Sequence, residues 1–305
     1  MKPRVCAVIL DYFGADKTKQ SVLSLVGQGL ETIYVLDNSG SDSASATLRQ
    51  TFAELAEANT GFQIKFLSAG KNIGFARGVN FVLAHDRRSE SPHDYYLLLN
   101  NDAVAGPDLV VKMLAEFEKD SAVALVAPRI VCNDPKREFG IWYHRYFGLL
   151  LSHSGLGRFH YFTGCCLLLP RPLVTETGIF DESFFMYGED VELGWRLTRQ
   201  GKKMVCADNV YVRHDLGPSV NRSSFFYEYH MVRSHLRLSF TTRGRAVELP
   251  ILLLAKCTAL ACRAAIRSLR YRAITPFTAL FMALFPLRIE EVNDLPEKNT
   301  TFDHR

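Results

Sequence analysis

The chain has 305 residues, of which 48% are hydrophobic and 22% charged, so its composition excludes disordered and fibrous classes and suits one large globular domain with an appendage. A formal net charge of +4 is too small to favour nucleic acid as a partner, and the densest basic run lies in the C-terminal third. The seven cysteines include no Cys-x-x-Cys pair, which argues against a zinc site or a disulfide framework and favours a reducing cytosol.

The first residues are predicted to be a strand and not a targeting segment. Met1 to Arg4 is basic and Val5–Leu10 is apolar, but the apolar run is short and Asp11 ends it. No uninterrupted run of about 18 apolar residues occurs in the chain, so no transmembrane helix is expected.

Strands and helices are predicted to alternate through the first half of the chain. Short, continuous apolar runs are typical of strands that are buried on both faces of a parallel sheet. Such runs are Val5–Leu10, Thr32–Leu36, Gln63–Leu67, Tyr95–Leu99 and Ala122–Val126. Helices are predicted between them, over Asp16 to Gly29, after Asp42, after the turn from Asn72 to Asn80, and from Pro107. The alternation predicts right-handed crossovers and an α/β fold with a mostly parallel central sheet flanked by helices.

Ligands of such a sheet bind at the carboxyl ends of its strands. This rule selects Asp37 after the second strand, the turn from Asn72 to Arg77 after the third, and Asp102 after the fourth. Ordinary alternatives remain for two of these groups, because Asp37 is equally suited to a turn and Asn100 to Asp102 to the end of a strand.

The pattern weakens from Ile130 to Phe162, a long segment of the kind that is more often functional or mobile than core. Phe162 to Pro170 is predicted to be a further buried strand. Two short strands are expected at Met204–Cys206 and Val210–Val212, and the second of them leads to His214.

An acidic pair begins a short predicted helix. Glu189 and Asp190 fall in its first turn, where backbone N–H groups favour ionised carboxylates. Tyr187, Val191 and Trp195 recur at helical spacing and are expected to face the core. A carboxylate held there beside aromatic surface is a candidate general base, and the alternative is a helix-terminal charge among core aromatics.

The segment from Leu249 to Leu287 is apolar but carries regularly spaced cations. Lys256, Arg263, Arg267 and Arg270 are seven, four and three residues apart, which puts them on one face of a helix. A basic stripe opposite an apolar one predicts an amphipathic helix at a membrane surface. The alternative is a packed helix whose charges are solvated.

A nucleotide diphosphate at the strand ends would need a divalent cation, and hard oxygen ligands suit Mg²⁺ or Mn²⁺. Asp102 is placed to supply one ligand, and His214 at the end of a later strand is placed to supply another. Arg77 or a helix start would neutralise the remaining charge. His214 taken alone is more often a structural residue.

In this order, the motifs resemble those of the family 2 glycosyltransferases, and especially their rhamnosyltransferase-like branch, over about Val5 to Ser224. The resemblance implies a GT-A fold and an inverting sugar transfer from a nucleotide-sugar. It divides the chain into a catalytic domain over residues 1–225, with a nucleotide-sugar half at about 1–128 and an acceptor half at about 129–225. Residues 226–305 are then a membrane-associated amphipathic helical region.

The resemblance also assigns roles to single residues. Asp37 falls where the family contacts the nucleobase, and Glu189 and Asp190 match its Glu-Asp pair, of which the Asp is the catalytic base. Asn100 to Asp102 matches the Asp-x-Asp position, with Asn100 in place of the first acid, which weakens the implied metal site. Nucleotide contacts are implied at Asn72, Gly74, Arg77, Asn101 and Asp102, and metal ligands at Asp102 and His214.

Donor, acceptor and location follow from the same resemblance and from the basic C-terminal segment. The resemblance favours dTDP-rhamnose as the donor and a lipid-linked glycan or cell-surface polysaccharide, such as a lipopolysaccharide core, as the acceptor. The expected location is the cytoplasm, with peripheral attachment to the cytoplasmic face of the inner membrane.

Two other functions remain open. A sugar nucleotidyltransferase would carry a glycine-rich basic loop after its first strand, and Asp11 to Gly14 offers none. A catalytically impaired scaffold of a polysaccharide-assembly complex would suit Asn100, whereas the intact pair Glu189 and Asp190 argues for catalysis.

Overall fold

The computed structural model describes residues 2–57, 61–132, 142–175, 178–214 and 224–285, apart from the side chains of residues 54, 56 and 57. The chain divides into two compact units. The first, here called the sheet unit, comprises Met1–Tyr143, Leu150–Phe185 and Glu189–Leu216. The second, the helical unit, comprises His144–Leu149, Met186–Gly188 and Gly217–Arg305.

Sixteen named elements precede the C-terminal helices. In chain order they are β1 (Val5–Asp11), α1 (Ala15–Leu23), β2 (Thr32–Asp37), α2 (Asp42–Glu57), β3 (Gln63–Ser68), α3 (Phe75–Arg87), β4 (Tyr95–Leu99), β5 (Ala103–Ala105), α4 (Leu109–Lys119), β6 (Val123–Val131), β7 (Trp142–His144), β8 (Leu149–Leu151), β9 (Arg158–His160), β10 (Cys166–Pro170), α5 (Glu189–Arg199) and β11 (Lys203–His214).

The main sheet has eight strands in the order β3-β2-β1-β4-β10-β6-β11-β5. Both of its faces are buried, because alternate residues of a strand point to opposite sides. In β1, Val5, Ala7 and Ile9 enter one core cluster, whereas Cys6 and Val8 enter the other. The continuous apolar runs of the sequence are therefore explained by burial on two faces, and the predicted α/β class is confirmed.

The sheet is mixed in its second half. The neighbours β3, β2, β1 and β4 run parallel, as does the pair β6 and β11. Strand β10 runs antiparallel to both β4 and β6, and β5 runs antiparallel to β11. The weakly patterned segment from Ile130 to Phe162 carries three short strands, which form a second sheet in the order β8-β7-β9. Residues 133–141 of that segment lie outside the described residues.

Two predicted elements differ from those observed. The helix expected over Asp16 to Gly29 ends at Leu23, because the Ser24 hydroxyl accepts a hydrogen bond from the backbone N–H of Ala105 and ties the chain to β5. The two strands expected after Gly201 are one strand, β11, whose pairing with β6 shifts between Ala207 and Tyr211. Such a bulge keeps a strand continuous while it interrupts the residue pattern.

The helical unit contains α6 (Phe225–Thr241), α7 (Leu249–Tyr271) and α8 (Thr275–Leu284). Its buried apolar cluster contains residues of all three helices: Tyr229, Val232, Leu260, Ala279 and Ala283. The expected basic stripe of α7 is only partly a solvent-facing surface. Lys256 is fully buried, and Arg263 and Arg267 form ion pairs with the buried Glu228 of α6.

That arrangement corrects the prediction of a basic face toward the membrane surface. A helical period identifies which residues share a face, but the acidic partner that turns this face inward lies 35 residues away in the sequence. The exposed face of α7 is apolar and includes Ile251, Leu254, Ile266 and Leu269. Burial lowers the pKa of Lys256 to about 7.

One described helix, Ala246–Tyr271, is long and apolar enough to cross a membrane, by length and composition only. An 18-residue window of this 26-residue helix reaches a mean hydropathy of 1.7, and 22% of that window is buried. The expectation of no transmembrane helix rested on the lack of an uninterrupted apolar run, and it stays a prediction. The helix meets the length and composition criterion because its cations are spaced widely enough to leave it apolar on average.

Candidate active site

Two carboxylates end the first two strands. Asp11 of β1 and Asp37 of β2 are partners in the parallel register, and both are buried. The backbone N–H and the hydroxyl of Ser39 donate to Oδ1 of Asp37 at 2.9 and 2.6 Å. Asp11 accepts hydrogen bonds from the hydroxyl of Thr18 and the N–H of Gly14, and burial raises its pKa. Asp37 was selected from the sequence, but Asp11 was not, although the strand-end rule applies to it equally.

Asn38 joins the end of β2 to the turn that opens α3. Its Nδ2 donates to the carbonyl of Gly74 at 3.2 Å, and its Oδ1 accepts from the N–H of Ile73 at 3.0 Å. Within the turn, the N–H of Gly74 donates to Oδ1 of Asn72 at 3.0 Å. The predicted nucleotide residues Asn72 and Gly74 therefore lie beside Asp37, at the carboxyl edge of the sheet.

Gly74 is required by its surroundings. Its φ is +82°, and a Cβ built there would lie 2.3 Å from the carbonyl oxygen of Phe185. The next residue, Phe75, donates its N–H to the same oxygen at 2.7 Å. The turn before α3 is thus fixed directly against the segment that leads to Glu189 and Asp190.

The last residue of the same motif, Asn80, braces the loop before α5. Its Nδ2 donates to the carbonyl of Phe180 at 2.8 Å, and its Oδ1 accepts from the N–H groups of Ile179 and Phe180 at 2.9 and 3.1 Å. A Cβ on Gly178 would lie 2.2 Å from Cγ of Asn80. Arg77 lies on α3 with a half-exposed side chain, 3.8 Å from the carboxylate of Glu182. Asn80 is a positioning residue that the sequence reasoning missed.

The polar residues after β4 are held by their own contacts. The Asn100 N–H donates to the Cys165 carbonyl at 2.9 Å, and Nδ2 of Asn101 donates to the Thr18 hydroxyl at 3.2 Å. Oδ1 of Asp102 lies 3.0 Å from Nε2 of His214. The antiparallel pairing of β5 and β11 explains this contact, because it sets His214 opposite Ala103, the neighbour of Asp102.

Asp102 and His214 offer a carboxylate oxygen and an imidazole nitrogen on partly exposed side chains. This donor set fits a divalent cation that accepts both oxygen and nitrogen ligands and has phosphate oxygens as its other ligands. A separate cluster of Cys6, Asp86 and His93 is fully buried near the amino ends of the strands. The oxygens of Asp86 there accept hydrogen bonds from the Tyr34 hydroxyl and the His93 backbone, which explains that cluster as a structural network.

Asp190, in the first turn of α5, is held by backbone donors. Its Oδ2 accepts from the N–H of Gly164 at 3.1 Å, and its Oδ1 accepts from the N–H of Val191 at 2.8 Å. Glu189 is buried, and its Oε2 has no hydrogen-bond partner among the described residues. Burial raises the pKa of both carboxyls, and the charge of Asp190 raises that of Glu189 further. The N–H bonds therefore favour one negative charge, on Asp190, beside a protonated Glu189.

Aromatic side chains enclose this pair. Phe159 packs on Tyr143 and on Trp195 of α5, with ring centroids 5.5 and 5.0 Å apart. Burial, with a further contribution from the charge of Asp190, raises the pKa of Tyr161. The low polarity of this wall explains why both carboxyls hold their protons more tightly than in water. The prediction that Tyr187, Val191 and Trp195 share one face of a helix is partly wrong, because Tyr187 precedes α5 and has a φ of +66°.

The segment from Thr163 to Cys165 links the two groups of polar residues. Gly164 donates to Asp190, while the carbonyl of the next residue, Cys165, accepts from Asn100 at the end of β4. A Cβ on Gly164 would lie 3.4 Å from the ring of Phe75 and 3.8 Å from Cβ of Asp190. The structure thus places the base candidate, the turn before α3 and the end of β4 around one segment.

Comparison with known proteins agrees with this geometry. The family profile described as Glycosyl transferase family 2 matches residues 7–178, and a second, described as Glycosyl transferase family group 2, matches residues 95–287. The N-acetylglucosaminyl-diphospho-decaprenol L-rhamnosyltransferase of Mycobacterium tuberculosis is 24% identical over a 230-residue alignment that covers 66% of this chain and 71% of the relative. The low-salt glycan biosynthesis hexosyltransferase Agl10 of Haloferax volcanii is 24% identical over a 205-residue alignment that covers 63% of this chain and 61% of the relative.

Two solved structures share the fold at low sequence identity. A mannosyltransferase from Pyrobaculum calidifontis in complex with GDP-Man and Mn²⁺ superposes with a TM-score of 0.55 at 18% identity, over 93% of this chain and 86% of the other. GalNAc-T7 with UDP, GalNAc and Mn²⁺ gives a TM-score of 0.55 at 12% identity, over 90% and 59%. These likenesses confirm the expected GT-A architecture, a mixed sheet flanked by helices with a C-terminal helical part.

Proposed function

This chain belongs to glycosyl transferase family 2 and is an enzyme of the glycosyltransferase class, and from that premise we propose that it transfers a sugar with inversion, using Asp190 as the general base. The observation that carries the proposal is the setting of Asp190, a carboxylate held by two backbone N–H groups inside an aromatic wall. A base needs a fixed position and a pKa raised toward neutrality, and this setting supplies both.

In the proposed reaction, a carboxylate oxygen of Asp190 takes the proton of an acceptor hydroxyl. The hydroxyl oxygen attacks the anomeric carbon of the donor, and the bond from that carbon to the diphosphate oxygen breaks on the opposite face. Glu189 stays protonated and orients the acceptor. Its neutrality matters because a charge on the buried Glu189 would repel the adjacent charge of Asp190.

The nucleotide would lie along the carboxyl ends of β1 to β4. We assign the nucleobase to Asp37, and the remaining nucleotide contacts to Asn72, Gly74, Arg77, Asn101 and Asp102. Asp37 and the turn before α3 are joined through Asn38, which supports one continuous binding edge. Asp11 lies on that edge as well and would face the same ligand.

Asp102 and His214 would hold a divalent cation, Mg²⁺ or Mn²⁺. An imidazole ligand favours Mn²⁺ over Mg²⁺, and Asn100 in place of a second acid predicts modest affinity. When bound, such a cation stabilises the charge of a departing diphosphate as a Lewis acid. Oδ1 of Asp102 and Nε2 of His214 lie 3.0 Å apart, close enough for both to reach one cation.

For the donor and acceptor, we propose dTDP-rhamnose and a lipid-linked or cell-surface glycan. The named activity of the Mycobacterium tuberculosis relative, rhamnosyl transfer to a decaprenol-linked sugar, supports both choices. The proposed catalytic domain is residues 1–225, with the donor half at about 1–128.

We assign residues 226–305 to the cytoplasmic face of the inner membrane. Within α7, the exposed positions before Arg270 carry no charge, and they include Leu254 and Leu269 at 73% and 81% exposure. Exposed arginines flank this apolar face at both ends: Arg243, Arg245, Arg270 and Arg272. An apolar face between cationic ends fits the interface of an anionic bilayer, although the fold turns the inner cations toward Glu228.

The proposal is tested by titrating the purified protein with dTDP-rhamnose, UDP-sugars and GDP-sugars, with and without Mn²⁺, and then assaying transfer to a polyprenyl-diphosphate N-acetylglucosamine. We expect metal-enhanced binding of dTDP-rhamnose and net sugar transfer. Binding without turnover would overturn catalysis in favour of a scaffold, a reading that Asn100 favours. Preference for another nucleotide would overturn the donor and leave the reaction class intact.

A further inference from the structure

The chain enters the helical unit for three residues immediately before the candidate base. Phe185 and Glu189 belong to the sheet unit, whereas Met186–Gly188 between them belongs to the helical unit. Tyr187, at the centre, has a φ of +66°, a conformation that is rare for bulky residues. A tyrosine persists in such a conformation only where its surroundings fix it.

An aromatic pair is one contact that holds Tyr187 in this conformation. The ring of Tyr187 meets the ring of Tyr227 edge to face, with centroids 5.5 Å apart and an interplanar angle of 71°. This is a favoured geometry for aromatic pairs. Tyr227 lies in the first turn of α6, where its N–H donates to the capping hydroxyl of Ser224 at 3.2 Å.

Two arginines of α7 hold the ring of Tyr227 in turn. The guanidinium groups of Arg267 and Arg263, both on α7, lie 5.4 and 5.9 Å from the centre of its ring. Nη1 of Arg263 lies 2.5 Å from Oε2 of Glu228, and Arg267 pairs with the other oxygen of the same carboxylate. Glu228 has no exposed surface. Tyr227 is therefore covered by cations that are fixed by a buried ion pair.

We propose that the ring pair of Tyr187 and Tyr227 is a latch that fixes the backbone just before α5, and with it Asp190. The inference rests on the proposed function only for the role of Asp190 as the base. Tyr187 is two residues from Glu189, and the hydrogen bonds of Asp190 depend on the register of the first turn of α5. Tyr187 and Tyr227 are accordingly positioning residues.

Variants that keep the aromatic ring, compared with variants that remove it, distinguish an effect of the ring contact from an effect on the backbone. Tyr187→Phe keeps the edge-to-face pair, whereas Tyr187→Asn removes the ring while accepting the left-handed backbone. Tyr227→Phe and Tyr227→Ala form the same contrast on α6. Tyr271→Ala is the matched control, because its ring also lies near Arg267, at 4.9 Å, but forms no part of the proposed latch.

Two readouts are measured: steady-state transfer with dTDP-rhamnose, and hydrogen–deuterium exchange of the first turn of α5. For Tyr187→Asn and Tyr227→Ala we expect kcat to fall about threefold to tenfold, the range of a single aromatic pair, with the dissociation constant of dTDP-rhamnose unchanged. Exchange in α5 should rise while exchange in β1 to β4 stays constant. The double variant should be no worse than either single one, and both Phe variants should behave as wild type.

Unchanged exchange in α5 for Tyr187→Asn would overturn the latch. So would a fall in kcat for Tyr187→Asn that Tyr227→Ala does not share, because Tyr187 would then act on the substrate directly. If the wild-type protein shows no transfer, the proposed function fails, but the exchange measurement still decides the latch. The latch would also be contradicted if Tyr271→Ala lowered kcat and raised exchange in α5 as much as Tyr227→Ala does.

Discussion

Replacing Asn80 tests whether the loop before α5 is held by one buried side chain. Asn80→Ala removes four hydrogen bonds at once. Three of them join buried groups, the N–H groups of Ile179 and Phe180 and the carbonyl of Phe180, and the fourth joins the carboxylate of Glu182. Each of the three buried groups left unpaired costs about 1 to 3 kcal/mol, so we expect a loss of about 3 to 9 kcal/mol in the free energy of unfolding. The better helix propensity of alanine offsets only about 0.5 kcal/mol of this.

The assay is urea unfolding followed by circular dichroism, with Asn209→Ala as the control at an exposed position. The control should stay within about 0.5 kcal/mol of wild type. A loss of less than about 1 kcal/mol for Asn80→Ala would show that water or rearranged backbone replaces the brace, and the account of this loop would be refuted.

Three further predictions concern the site itself. Gly74→Ala should lose about 2 to 4 kcal/mol of unfolding free energy, measured in urea. Gly70 has a similar φ, but a Cβ there would meet no atom within 4 Å, so Gly70→Ala should lose only the cost of the left-handed backbone, about 1 to 2 kcal/mol. Equal losses would contradict the contact of Gly74 with Phe185. Burial raises the pKa of Glu189 above its unfolded value, so the wild-type protein loses stability as pH rises through the folded pKa. The stability advantage of Glu189→Gln over wild type should therefore widen between about pH 5 and about pH 9. A constant difference between the two proteins in thermal unfolding would refute this. Asp102→Asn should remove the Mn²⁺-dependent part of donor affinity, by at least about tenfold in calorimetry, and leave binding in EDTA unchanged; loss of binding in EDTA as well would argue against a metal ligand.

The parallel half of the sheet and its polar strand ends could be predicted because both depend on local patterns. Apolar runs identified β1 to β4 with small errors, and the strand-end rule selected Asp37 and Asp102. The approach of Asp102 to His214 could not follow from spacing, since it depends on the antiparallel pairing of β5, a strand of three residues. The sequence selected both residues by their positions at strand ends and by family resemblance, but not their direct contact.

The features that could not be predicted depend on contacts between residues that are distant in sequence. The basic stripe of α7 was identified correctly, but the burial of Glu228, which turns it inward, has no signature near α7. The left-handed Tyr187 was taken for a helical residue because periodicity does not report φ. Asn80 was visible as the end of a motif, and its brace to Phe180 lies 100 residues away.

If Asp190 is the base and donor binding is separate from it, removing this carboxylate stops the transfer and leaves the donor site intact. The most direct measurement is the turnover of Asp190→Asn with dTDP-rhamnose and a polyprenyl-diphosphate N-acetylglucosamine, alongside its calorimetric affinity for dTDP-rhamnose. We expect kcat to fall by about 10² to 10⁴, with the donor dissociation constant within about twofold of wild type. Turnover retained within about tenfold, or donor binding lost together with turnover, would contradict it.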